Sequence, residues 1–124
     1  IAPRVARLQG VDLERAAVED ARHNVPEAEF RVGRGRHALR RLLSVGQRYD
    51  LVVLHAMRRP YGPEVLRLAA ATQARALLYI APSVAALARD LAAETGWTAT
   101  ALAFVDQLPG SAHLLNLGLL ERSG

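Results

Sequence analysis

The sequence predicts an α/β fold, a mostly parallel sheet with helices packed against it. Apolar runs of strand length alternate with segments of helical period, the pattern of repeated strand–helix–strand units. Leu51, Val52, Val53 and Leu54 are apolar at every position, as a parallel strand covered on both faces requires, so this strand is expected to be central. The apolar content is Leu, Ala and Val with only six aromatic residues, which suits a sheet layered between helices better than an aromatic platform for stacking bases.

Strands are expected near 8–12, 28–32, 50–55, 76–81, 97–105 and 114–121, and helices near 14–24, 35–45, 63–72 and 84–94. The first strand, LQGVD, precedes the helical stretch ERAAVEDARHN, and AEFRV precedes GRHALRRLLSV. DLVVLH is followed by Pro60, Gly62 and Pro63, which interrupt the chain and place Pro63 to open the helix PEVLRLAAAT. After ALLYIA, Ser83 is positioned to cap the helix that carries Ala85, Leu87, Ala88 and Leu91, and Gly96 to close it. The last two runs, WTATALAFV and LLNLGLLE, are joined by a short connection, so a final hairpin makes the sheet mixed. With 124 residues and no repeat, linker or low-complexity tract, residues 1–124 are expected to form one domain.

There is no cysteine, which rules out disulfides, thiolate zinc sites and a Cys nucleophile together. The four histidines, at 23, 37, 55 and 113, have no metal-ligand spacing, so no metal is expected. All sixteen basic residues are Arg, and the net charge is +4. Selection for phosphate binding has no reason to exclude Lys, so the bias is read as genome composition. No apolar run reaches the roughly 18 residues that span a bilayer. The expectation is a soluble cytoplasmic protein with no membrane partner.

Three stretches carry a family resemblance: YDLVVLHAMRRP at 49–60, YIAPSVAALARDL at 79–91 and VDQLPGSAHLLNLGLLER at 105–122. Together they resemble the C-terminal part of the catalytic domain of the S-adenosylmethionine-dependent RNA uracil-5 methyltransferases, where the same places read roughly YDLVVLDPPRxG, YVSCNPxTLARDL and DMFPQTxHVExVxLLxR. The resemblance covers nearly the whole chain. It is strongest from 49 to 122 and generic before that. It implies a Rossmann-like class I methyltransferase domain, a mixed, mostly parallel sheet flanked by helices. In such a frame the first strand and glycine-rich loop that cradle the cofactor would precede Ile1, so the chain is expected to be a piece of a longer protein or to close its sheet another way.

The resemblance also locates what has changed. The nucleophilic Cys falls on Pro82, the Asp of DPPR on His55, and the Glu of HVE on Leu115. Uracil-5 methylation requires a nucleophile at carbon 6, an acceptor of the carbon-5 proton and a methyl donor held in line. Pro82 cannot attack and Leu115 cannot accept a proton, so no catalytic residue is expected. For S-adenosylmethionine, the matching contact is Asp12, which ends the first strand as the ribose-binding carboxylate does; the alternative is that Asp12 caps the following helix. Where the family has Gly-Asp beside the adenine amine, this chain has Gly33-Arg34, a donor in place of an acceptor. No cofactor is therefore expected.

The remaining candidates are arginines. Arg34, Arg58 and Arg59 follow strands, and strand carboxyl ends face the binding crevice in such folds, so they are candidates for RNA phosphates. Arg31, Arg36, Arg40 and Arg41 surround the second strand and the next helix, as phosphate contacts or as a solvated face. Arg89-Asp90 matches the family most literally and is read as a structural charge pair anchoring its helix to the loop before the last strand. His113, the His of HVE, is read as orienting that loop. The functional expectation is a catalytically inactive relative or fragment that binds RNA. The alternatives are an interaction domain pairing with a second copy or a missing amino-terminal part through an exposed sheet edge, and an active methyltransferase whose catalytic parts lie outside this segment.

Overall fold

The computed structural model describes residues 6–55, 62–81, 83–92, 96–106 and 114–122. The chain forms two compact units, Ile1–Leu42 and Leu43–Gly124.

In the first unit, β1 (Gln9–Asp12) pairs in parallel with β2 (Glu29–Val32), from Gln9 opposite Glu29 to Asp12 opposite Val32. The Gly33 N–H extends the ladder by donating to the Asp12 carbonyl at 2.9 Å. Gly10 lies opposite Phe30, and a Cβ at position 10 would come within 2.7 Å of the phenyl ring, so any side chain there would collide with the ring lying over the strand. The connecting α1 (Arg15–Asn24) buries Val18, and α2 (Gly35–Ser44), which follows β2, buries Leu39.

The second unit is a four-stranded sheet in the order β3 (Leu51–His55), β4 (Ala76–Ala81), β6 (Leu114–Arg122), β5 (Trp97–Asp106). The β3–β4 pair is parallel, and both β4–β6 and β5–β6 are antiparallel, so the final hairpin makes this sheet mixed. One face carries Leu54, Leu77, Tyr79, Ala81 and Leu120, all buried. The helices α3 (Pro63–Ala71) and α4 (Val84–Leu91) pack on that face. From α3 come Val65, Leu66 and Ala69, and the Trp97 indole N–H donates to the Leu66 carbonyl at 2.7 Å. From α4 comes Leu87, which lies over Gly118, where a Cβ would meet its methyl group at 3.0 Å.

Element boundaries follow the expected ones closely, and Pro63 opens α3 behind the left-handed Gly62. Two expectations need correction. Leu51–Leu54 is not central in its sheet: β3 is an edge strand, and Leu51 and Val53 are 52% and 54% exposed on the face opposite α3 and α4. An unbroken apolar run does not say which face will be covered. Finally, α4 ends at Leu91, and Gly96 uses its positive φ of 88° directly before β5 rather than as the helix cap. No helix among the described residues is long and apolar enough to cross a membrane, and they hold no group of three or more acids or histidines placed to bind a metal.

Candidate functional site

The residues of interest sit where strands end, and each unit contributes its own group. In the first unit, Asp12 closes β1 and Gly33-Arg34 follows β2. The Asp12 carboxylate accepts the Glu14 N–H at 2.8 Å, an Asx turn that leads the chain into α1. The helix starts at Arg15, with Glu14 as its cap residue, so Asp12 shapes the turn before the helix rather than capping it. The carboxylate is on an exposed residue.

Arg34 lines a cleft of about 470 Å³ whose charged walls are Arg15 and Arg22 from α1, Arg31 from β2, and His37 and Arg41 from α2. No Asp or Glu is among its lining residues. Local sequence explains the concentration: between Glu29 and Asp50 the chain has no acid at all. On α1, Arg15 and Arg22 are seven residues apart and so share a face with the buried Val18 between them. Arg22 is oriented by two donations to the Phe30 carbonyl, from Nε at 3.2 Å and from an Nη at 2.8 Å. A neutral carbonyl fixes that guanidinium without cancelling its charge.

In the second unit, β3 ends at His55, paired with Ile80, and β4 ends at Ala81, the residue before Pro82. Leu115 lies in β6 opposite Val105. Asp90 is almost fully buried and binds two other elements. It accepts the Tyr79 hydroxyl from β4, and its two oxygens each accept the Gly62 N–H at 3.2 Å. The carboxyl of the Ala-Arg-Asp-Leu stretch therefore ties α4 to β4 and to the first turn of α3, while Arg89 is exposed. Arg58, Arg59, Pro82 and His113 lie outside the described residues, as does the loop between β5 and β6 to which Arg89-Asp90 was expected to anchor.

Sequence reasoning found Arg31, Arg34 and Arg41 but missed Arg15, Arg22 and His37 as their neighbours, and Tyr79 and Gly62 as the partners of Asp90. The spacing of Arg15 and Arg22 was the available signal for the first group. The second pairing joins residues 28 and 11 positions from Asp90 and had no local signal.

No family model matches the chain. Among curated proteins it is 31% identical over 122 residues to an uncharacterized RNA methyltransferase of Geobacter sulfurreducens, covering 93% of this chain and 25% of that protein. It is also 31% identical over 115 residues to an uncharacterized RNA methyltransferase of Streptomyces coelicolor, covering 90% of this chain and 25% of that one. The chain thus spans about a quarter of the length of these relatives. Among solved structures, the tRNA (uracil-54, C5)-methyltransferase of Pyrococcus abyssi in complex with S-adenosyl-L-homocysteine matches with a TM-score of 0.79 at 24% identity, covering 96% of this chain and 30% of that one. A putative methyltransferase complexed with the same product matches with a TM-score of 0.70 at 10% identity, over 94% of this chain and 39% of its own. By sequence the chain is similar over nearly its whole length to proteins named RNA methyltransferases, and its fold is that of the Rossmann-like class I methyltransferases.

Proposed function

We propose that this segment is one partial methyltransferase-like domain that holds RNA without methylating it. The observation that carries the reading is the pair of residues at the family's reacting positions, Pro82 and Leu115, where neither nucleophile nor base is available. The frame around both positions is formed: β4 runs to Ala81 directly before Pro82, α4 follows, and β6 contains Leu115. Substitution within the frame, rather than loss of the frame, removes the chemistry.

The residues in the first unit do not fit S-adenosylmethionine well. Asp12 offers a ribose-binding carboxylate, but Arg34 has only donors and cannot accept a hydrogen from the adenine amine. No step is therefore routed through the cofactor. Calorimetric titration with S-adenosylhomocysteine is expected to show no saturable binding in the micromolar range. A micromolar site would mean that Arg34 does not oppose the adenine.

RNA is the partner that the arginines favour, with Arg34, Arg58 and Arg59 as phosphate contacts. Each contact with single-stranded RNA adds about 0.7 to the slope of log affinity against log salt. Replacing Arg58 and Arg59 by Ala is expected to weaken binding similarly for all sequences and to flatten that slope by about 1.4. Unchanged binding would remove these two arginines from the interface. If the protein bound no RNA at all, the second reading would stand: pairing with another copy through β3, the edge strand whose Leu51 and Val53 are half exposed.

A further inference from the structure

We infer that the cleft between α1 and α2 is a phosphate-binding site that reads charge and not base, with Arg15, Arg22, Arg31 and Arg34 as its principal contacts. The inference rests on the RNA reading only for the source of the phosphates. Its grounds are local to the first unit. The cleft is walled by five arginines and one histidine with no acid among them. Among the described residues, Arg15, Arg31 and Arg34 have no ion pair, and the pair between Arg7 and Glu29 at 3.9 Å involves none of the cleft residues. Arg22 is held in place by the Phe30 carbonyl, which leaves its charge uncancelled.

An ordinary solvated basic surface intersperses acids with its arginines, and here the sequence withholds them from Phe30 to Tyr49. Like charges gathered in one concavity repel each other, and an anion entering it relieves that repulsion as well as forming charge-assisted hydrogen bonds. The guanidinium fork suits phosphate oxygens in particular. The cleft has no Phe, Tyr or Trp in its lining to stack a base, which favours contact with the backbone over base readout. An open cleft of about 470 Å³ has room for the sugar–phosphate path of a single strand or for a free phosphoanhydride.

The experiment compares three forms of the protein: wild type, R15Q/R31Q in the cleft, and R75Q/R122Q, which removes the same charge from exposed positions of the second unit. Each is titrated with labelled oligo(U), oligo(A) and an RNA duplex across a salt series, and its thermal stability is followed with pyrophosphate against sodium chloride of equal ionic strength. The expected result is single-strand affinity lowered on the order of tenfold in R15Q/R31Q alone, equally for U and A, with the salt slope reduced by about 1.4. Pyrophosphate is expected to raise the melting temperature of wild type and of R75Q/R122Q but not of R15Q/R31Q. If pyrophosphate stabilises in this pattern while no RNA binds, the phosphate site stands with a free phosphoanhydride as its source, and the RNA reading falls. If R15Q/R31Q binds RNA as wild type does while R58A/R59A does not, the RNA reading stands and the cleft proposal is overturned. Equal loss in R15Q/R31Q and R75Q/R122Q also overturns it, since only net charge would then matter.

Discussion

Replacing Asp90 by Ala is expected to destabilise the second unit by about 3 kcal/mol. The cost has two sources. The Tyr79 hydroxyl and the Gly62 N–H would each lose their acceptor beside a buried position, and an unsatisfied buried donor costs about 1–3 kcal/mol. Three elements would also come apart at one point, because Asp90 is on α4, Tyr79 on β4 and Gly62 at the start of α3. Urea unfolding followed by the fluorescence of Trp97, the only tryptophan and a member of the same unit, measures this directly. Tyr79→Phe removes one of the bonds and should cost about 1 kcal/mol. A loss below that in Asp90→Ala would mean that the carboxyl does not join these elements.

Truncating Leu66 to Ala should cost a similar amount, about 3 kcal/mol, for a different reason. Its side chain is fully buried on α3 among Val65, Ala69 and the sheet face, so the change leaves a cavity without disturbing a polar group. The Leu66 carbonyl also receives the Trp97 indole N–H at 2.7 Å, which ties α3 to the first residue of β5. That bond involves backbone and should survive truncation. The prediction is thus a lower urea midpoint with little change in native tryptophan emission. A large emission shift in the native state would show that the α3–β5 contact depends on packing at Leu66.

Much of the fold was legible because the informative signals are local. The alternation of runs such as ALLYIA and VAALARDL fixes element type, and Pro63 marks the start of α3 through its own fixed φ. The placement of β3 was not legible. Whether Leu51 and Val53 face a helix or solvent depends on which elements cover each face of the sheet, which a local run cannot encode. The site divided along the same line. Arg31, Arg34 and Arg41 are neighbours in sequence and were visible as a group, while Arg15 and Arg22 reach the cleft only because α1 folds back beside β2. Asp90 was recognised as structural, yet its partners are set by tertiary packing and not by the motif that contains it.

A methyltransferase fold and the proposed loss of its chemistry are compatible, because a fold is specified by many packed residues and a reaction by a few. Here β4, α4 and the β5–β6 hairpin are retained, while the residues expected to react are Pro82 and Leu115. The most direct measurement incubates the protein at its natural length with labelled S-adenosylmethionine and undermodified transfer or ribosomal RNA, and then analyses the uracil bases. The account predicts no label at carbon 5 above a no-protein control, with or without Pro82→Cys, since Leu115 would still offer no base. Label at carbon 5 in the unaltered protein would contradict it, and would place the nucleophile and base outside this segment.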